Sequence, residues 1–392
     1  MQSIKIFLFV IFFMIQLVLG KTQDNRIPYS YAKCDTRIAD TGYYMKNAAG
    51  FLAQALALRG IEPGTDDFSA PYNVRVFIRI VRQDNGTLAG CTVEEARLNF
   101  DEMKVQYAPH NICFQLAGID FVDDTYLNNF NVSANLEDVY PAYIRDNNLD
   151  VNGAITIFVH YNYLNNSGSS GRAYGIPNNF LSVARWAATS TTVHSIFGHE
   201  MGHCLGLYHT FENNFGQENV TRNSGSSCYD CLVDGDLCCD TPADYEDSQD
   251  NTSSTSCNYS GTRRDVCSDL LFAPSTINIM SYQPWECIST TSSALTANQR
   301  TRMHATINDA TGPIYNRVAE DNLSLASISA TGNTVRLYTA KNNVTMAANA
   351  TISHSVSSQA YYAAGTSITF GPGVTFAPGT AGVVQASISG CN

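Results

Sequence analysis

The string His199-Glu200-Met201-Gly202-His203-Cys204-Leu205-Gly206-Leu207-Tyr208-His209 constrains this chain more than any other stretch. Histidines four apart on a helix leave from one face, so their imidazole nitrogens can reach one ion about 2 Å away. Glu200 follows the first histidine and can stand beside a coordinated water without taking a coordination place. Gly206 permits the sharp turn that ends the helix, and His209 returns from beyond it as a third ligand. Three protein ligands leave a fourth position open, which marks a catalytic rather than a structural site. Chance is a poor rival: five specified residues at fixed spacing should arise in a chain this long on the order of once in 10⁵. A lone His-Glu-x-x-His is weaker, because core helices also produce it.

The chemistry such a site supports is hydrolysis. A bound ion lowers the pKa of its water from near 16 toward about 7 and polarises a carbonyl. Glu200 then serves as general base and passes the proton to the leaving amine. Zinc (Zn2+) suits an open tri-imidazole site best, although copper and nickel also bind such nitrogens.

Lys5 and the apolar run Ile6 to Leu19, closing on Gly20-Lys21, read as a secretory signal peptide over residues 1–20. The alternative is a membrane anchor, but the run is short of the roughly 20 residues a bilayer core requires. No later run is apolar enough to span a membrane. The expectation is a secreted, extracellular protein. Its twelve cysteines then imply a disulfide framework. Nine Asn-x-Ser/Thr sites, Asn131 and Asn219 among them, fit an exported surface. A net charge of −12 argues against nucleic acid as a partner. Oligomeric state is not legible.

Along the chain, Val74, Val76, Ile78 and Ile80 alternate as one face of a strand over 74–81. Asp84-Asn85-Gly86 turns, and Thr92-Val93-Glu94-Glu95 is a capping box opening a helix. Residues 112–122 and 154–160 read as strands. Residues 190–205 read as a second long helix capped by Ser190, Thr191 or Thr192. Residues 210–275 are rich in Asn, Ser and Asp, hold six cysteines and show little periodicity, as an irregular disulfide-tied lobe would. Helical character returns over 294–307. Beyond about residue 318 short strand patterns dominate, with a loose echo between residues 347–352 and 363–368.

The long histidine motif, followed by Asn278-Ile279-Met280-Ser281-Tyr282, resembles the metzincin clan of zinc peptidases, whose Met-turn lies beneath the metal. Gly235-Asp236-Leu237-Cys238-Cys239-Asp240-Thr241-Pro242, between the two motifs, is similar to the pappalysin family of that clan. The resemblance spans roughly residues 73–310. It implies an α+β metzincin fold: a mixed twisted sheet with active-site helices over an irregular lower lobe, here followed by a small all-β C-terminal module. It also implies that Met280 is the hydrophobic floor and that Tyr282 approaches the metal or the transition-state oxyanion. A core methionine and a buried tyrosine are the plainer alternatives. The implied division is a signal peptide at 1–20, a pro-segment at 21–69, a catalytic domain at 70–317 and a β-rich module at 318–392.

The same resemblance implies a calcium (Ca2+) site at Asp236, Thr241 and the carbonyl of Cys239; an Asp-rich turn satisfying its own backbone is the alternative. It implies bridges joining Cys257 with Cys287, and Cys228 or Cys231 with Cys267. Cys34, near the start of the pro-segment, would fill the open metal position as a latency ligand; a disulfide, for instance with Cys391, is the alternative. Residues 171–178 are either the edge strand that pairs with extended substrate or an ordinary loop. Cys204 is either a buried thiol, the favoured reading, or a disulfide partner. His160, His194, His304 and His354 lack ligand spacing. The function read here is a zinc-dependent endopeptidase acting on extracellular proteins or peptides. Its rivals are a metal-dependent amidase and a binding or adhesion protein whose zinc lobe is vestigial.

Overall fold

The computed structural model describes residues 72–130, 136–162, 169–191, 195–288, 295–330, 335–354, 357–377 and 382–390, with Lys33, Cys34 and Gly50. The expected signal peptide, most of the expected pro-segment, Asn131, Thr192, His194 and Cys391 lie outside the described residues.

A six-stranded sheet forms the frame. Its strands are β1 (Lys33–Cys34), β2 (Tyr72–Arg82), β3 (Ile112–Asp123), β4 (Ile155–His160), β5 (Ser169–Ala173) and β6 (Phe180–Ala184). They lie in the order β1-β5-β6-β4-β2-β3. β3, β2, β4 and β6 run parallel, and β5 is antiparallel to β6. Four helices matter here: α1 (Val93–Tyr107), α2 (Leu136–Asp146), α3 (Ile196–Cys204) and α4 (Ala297–Asn308). At the start of α1 the Thr92 hydroxyl accepts from Glu95 N while the Glu95 carboxylate accepts from Thr92 N, so two orphan helix donors are satisfied.

Both faces of the sheet are covered. Val74, Val76, Ile78 and Ile80 join Ile155, Ile157 and Val159 in one core, against Phe100, Met103 and Tyr107 of α1 and Phe197 and Met201 of α3. On the opposite face Val81 and Phe158 pack with Tyr140 of α2. Burial on both sides explains why 155–160 is a continuous apolar run rather than an alternating one. The active-site helix is shorter than the expected 190–205: it starts at Ile196, and a separate short helix spans Arg185–Ala188. Residues 190–192 are hydroxyl-bearing, and such side chains favour caps over helix interiors.

Regular structure becomes sparse where the composition changes: Thr210 to Ser281 contains one named element, a 3₁₀ turn at Ser248–Asn251. Bridges join Cys228 to Cys267, Cys231 to Cys239, and Cys257 to Cys287. Cys91, Cys204 and Cys238 are buried thiols.

The C-terminal part is a stack of parallel strands. Ile352 pairs with Ile328 on one side and Phe376 on the other, a step of 24 residues each way. Gln359 likewise pairs with Val335 and Val383. From Ile328 onward the repeat is therefore a 24-residue coil, preceded by one of 21 in which Leu323 pairs with Val344, and not the 16-residue spacing of the echo between 347–352 and 363–368. Those two segments occupy different sides of successive coils. Polar side chains stack with the strands: Asn343 Nδ2 donates to Asn322 Oδ1 at 2.9 Å, and Ser367 Oγ to Asn343 Oδ1 at 2.8 Å.

This stack docks on the catalytic sheet. Tyr361 meets Phe77 edge to face at 4.9 Å, within a cluster that includes Ala117, Val151 and Ala154. Gly118 makes the approach possible, because a Cβ there would fall 2.5 Å from both rings. Gln115 Nε2 donates to Ala340 O at 2.9 Å, and Leu116 N to Ser389 Oγ at 3.2 Å. Tyr361→Ala should therefore destabilise the whole chain by about 3–5 kcal/mol, as loss of a buried aromatic does. Urea unfolding of the full chain measures it. A loss below about 1 kcal/mol would mean the stack rests on the sheet without sharing its core.

Candidate metal centre

Helix α3 supplies the first two histidines, and its glycines let it sink into its surroundings. A Cβ on Gly198 would meet Gln106 Oε1, and one on Gly202 would lie 2.4 Å from Met280 Sδ and 3.1 Å from the Tyr107 hydroxyl. The Tyr107 hydroxyl donates to Gly198 O at 2.6 Å, locking α1 to α3. The helix stops at Gly206, which takes φ +91°. Arg302 Nε of α4 donates to Gly206 O at 3.2 Å, and a Cβ at Gly206 would collide with Thr306. Leu207 N donates to Gly202 O at 2.9 Å, and the chain then doubles back to bring His209 over the helix.

The three imidazoles converge. His209 Nε2 lies 3.3 Å from His199 Nε2 and 3.1 Å from His203 Nε2. Ligands tetrahedrally placed at 2.0–2.1 Å from an ion are about 3.3 Å apart, so the spacing fits. His203 Nδ1 meets Leu207 O at 2.8 Å, and His199 Nδ1 meets Ile279 O. A carbonyl only accepts, so these Nδ1 atoms carry the protons and the Nε2 lone pairs face inward. Burial pushes His199 down to about 4, and burial with the neighbouring imidazoles pushes His203 and His209 well below their ordinary value. Neutral rings with lone pairs turned toward one point are what a divalent metal requires. Among the described residues this is the one cluster of three or more such side chains with ligand spacing.

Glu200 is fully buried in α3. Its carboxylate reaches β5: a Cβ on Gly171 would lie 2.9 Å from Glu200 Cγ and Oε1. Met280 is completely buried under the helix, against Gly202. Its turn is held by Asn278, whose Oδ1 accepts from Met280 N at 2.9 Å and whose Nδ2 donates to Gln299 Oε1 of α4 at 2.9 Å. The Tyr282 ring is 5.0 Å from His209 and 6.1 Å from His199. A small cavity of about 20 Å³ opens beside His199, between Ile196, Ile279, Ser281 and Trp285.

Other candidates fall elsewhere. Asp236 is buried in the loop closed by Cys231 and Cys239, and Thr241 is buried two residues beyond it. Asp236 Oδ1 accepts from Cys238 N at 2.9 Å, while Oδ2 and the Thr241 hydroxyl lie close to each other without a full hydrogen bond. Burial pushes Asp236 up to about 7. Glu218 lies nearby, paired with Arg222 at 2.8 Å and pushed up to about 9 by burial and by Asp236. Asp240 instead accepts from Asn298 N at the start of α4, at 2.9 Å. His160 is buried between Tyr140 OH at 2.8 Å and Leu127 O at 3.0 Å, and His304 bonds His110 O at 2.8 Å, so both have structural partners. Cys204 is buried with its thiol toward Phe180 O.

Sequence reasoning missed Phe211, Gly171 and Asp244. The Phe211 ring stacks on His209 at 4.7 Å, nearly coplanar, and touches Tyr282 at 4.6 Å. The glycines of α3 were readable as a close-packing face from their four-residue spacing. Asp244 has no such signal, since its partners are 34 and 37 residues away.

Residues 142–308 match the family model described as pregnancy-associated plasma protein-A. An extracellular metalloprotease of Colletotrichum graminicola is 28% identical over 253 residues, 60% of this chain and 77% of that protein. Another, from Sordaria macrospora, is 26% identical over 253 residues, 61% of this chain and 76% of that one. The structure of Tannerella forsythia mature mirolysin in complex with a cleaved peptide is similar with a TM-score of 0.44 and 15% identity, over 63% of this chain and 96% of that chain. Site and family match together define a zinc metalloendopeptidase. Over residues 142–308 the chain is similar to the pappalysin family of the metzincins.

Proposed function

We propose that this is a secreted endopeptidase of extracellular proteins or peptides, with zinc held by His199, His203 and His209 and Glu200 as general base. The observation that carries this reading is the convergence of three neutral imidazoles, His209 Nε2 lying 3.3 Å from His199 Nε2 and 3.1 Å from His203 Nε2, with Glu200 on the helix that bears the first two. Zinc, when bound, supplies a polarised carbonyl and a more acidic water. Glu200 takes the attacking water's proton on a carboxylate oxygen and delivers it to the leaving nitrogen. Tyr282, braced by Phe211, supports the developing oxyanion through its hydroxyl. Met280 gives the histidines a rigid apolar floor. A vestigial adhesion lobe would not need a buried base beside three converging ligands. Among the described residues no helix is long and apolar enough to cross a membrane.

Glu200→Ala should keep one zinc per chain yet lose at least about a hundredfold in turnover, because the base goes while the ligands stay. His209→Ala should lower zinc occupancy itself. Metal analysis alongside peptide hydrolysis separates the two, and a zinc-loaded Glu200→Ala protein cleaving at the parent rate would end the assignment.

The reading extends to latency, with residues 21–69 as a pro-segment, 70–317 catalytic and 318–392 the β module. Lys33 and Cys34 run parallel to β5, with Cys34 opposite Gly171, the residue that contacts Glu200. Cys34 thus stands one strand spacing, about 4.8 Å, from the wall of the metal centre. Cys113 is disulfide-bonded, but it lies in β3 at the far edge of the sheet. Five strand spacings, about 24 Å, are beyond any disulfide, so Cys34 is not its partner. A thiolate from Cys34 would fill the open coordination place until the segment is removed. Uncleaved Cys34→Ala protein should then be more active than uncleaved parent at equal zinc content; equal activity in the two removes the gate.

Calcium would be held by Asp236, Thr241 and the carbonyl of Cys239, hard oxygen donors at the end of a disulfide-closed loop and just beyond it. Without the ion, a raised Asp236 pKa contributes stability that is present below about 4 and is lost as pH rises through about 7. Calcium binding needs the ionised form, so the calcium-induced rise in Tm should be larger at about pH 8 than at about pH 5.5. Equal shifts at both, or a shift retained by Asp236→Asn, would count against the site.

A further inference from the structure

The carboxylate of Asp244 joins the two segments that frame the metal centre. It is 1% exposed. Its Oδ2 accepts from the Thr210 hydroxyl at 2.6 Å and from the Ser281 hydroxyl at 2.9 Å, and its Oδ1 accepts from Tyr245 N at 2.7 Å. Thr210 directly follows His209, and Ser281 lies between Met280 and Tyr282. The two segments also share Thr210 N donating to Met280 O at 3.1 Å. Ser248, a further partner of Asp244, receives Gln283 Nε2 at 2.8 Å, so the same network continues one residue past Tyr282.

We infer that Asp244 is a positioning residue that sets His209 and Tyr282 in register by clamping Thr210 and Ser281 to one carboxylate oxygen. The inference rests on the zinc reading above. The physical case is one of lever arms. His209 is outside α3, beyond a left-handed glycine, and its backbone has no helix to hold it. Tyr282 likewise follows a turn within a lobe with few regular elements. A single acceptor gripping the residue after one and the residue before the other fixes their relative placement to the tolerance of two short hydrogen bonds. A charge is suited to this, since an ionised oxygen accepts several donors and binds them more strongly than a neutral one. Burying it is costly, and the several donors around it offset that cost.

Asp244→Ala and Thr210→Val should each weaken zinc binding by about 10- to 100-fold, the loss seen when a partner that orients a ligand is removed. Ser281→Ala should act more on turnover than on affinity, because it frees the Tyr282 side of the clamp. Asp244→Asn should stay within about threefold of the parent in zinc Kd, since its amide can still accept from Tyr245 N while donating to two hydroxyls that turn to accept. Zinc Kd comes from chelator competition on the full chain, and the absorption of the cobalt-substituted protein reports ligand geometry. A purely structural Asp244 would lower Tm while leaving Kd and the cobalt spectrum those of the parent. That result for Asp244→Ala overturns the inference. Should that variant fail to fold, an unchanged Kd in the isosteric Thr210→Val overturns it instead. Parent and His209→Ala are run together: if His209→Ala binds zinc like the parent, the zinc reading fails and takes the inference with it. If His209→Ala loses zinc, the clamp alone is being judged.

Discussion

Everything around the catalytic centre answers to one electrostatic problem, three neutral imidazoles with inward lone pairs, His209 Nε2 standing 3.3 Å from that of His199 and 3.1 Å from that of His203. Such an array is unfavourable until a cation shares it, and it persists only if the surroundings hold each ring in place. Two of the rings are held through their outer nitrogens by the carbonyls of Ile279 and Leu207. Ile279 is the residue before Met280, so the Met-turn orients a ligand directly as well as lying beneath it. The third ring is held by stacking on Phe211. The two helical ligands are thus held by carbonyls from beyond α3, and the third by a stacked ring.

That pattern explains what could be read from the chain in advance. The ligand set, the base and the turn glycine are local: they fall within eleven consecutive residues, and helix periodicity with glycine stereochemistry is enough to place them. The strand at 72–82 and the helix at 93–107 were legible for the same reason, one from alternation and the other from a capping box. The start of α3 was not. Ser190 and Thr191 resemble caps, but the apolar positions that pack against Met280 and Tyr107 begin only at Ile196. Phe211, Gly171 and Asp244 could not be found locally, because each acts on a partner brought near by the fold rather than by spacing.

The lower lobe shows how a segment without regular elements can still be accurate. Three disulfides divide it into short loops, and the loop from Cys231 to Cys239 is only eight residues long in sequence separation. Within these loops buried and half-buried carboxylates replace the hydrogen bonds that helices and strands would have made: Asp230 accepts from Asn219, Asp265 from Ser268 and Cys267, and Asp244 from Thr210 and Ser281. The richness in Asp, Asn and Ser that makes 210–275 look unstructured is therefore its mode of structure. Short polar side chains bond backbone groups that have no ladder.

The pairing within the C-terminal stack was not legible for a related reason. A parallel coil presents each apolar residue to the same position one coil on, and such a repeat constrains side-chain class more than identity. Ile328, Ile352 and Phe376 share a column, yet no two neighbouring coils share a recognisable string there. The more similar strings, at 347–352 and 363–368, fall on different sides of the stack, so resemblance between them carries no pairing information. What holds the stack to the enzyme is likewise dispersed: a ring edge at Tyr361, a side-chain donor at Gln115 and a missing Cβ at Gly118. Gly118 interrupts the middle of an otherwise apolar strand, where glycine costs stability unless something must come close. The close neighbour is the Tyr361 ring, and the part of the sheet around Phe77 and Ala117, away from α2, is buried because Gly118 lets that ring in.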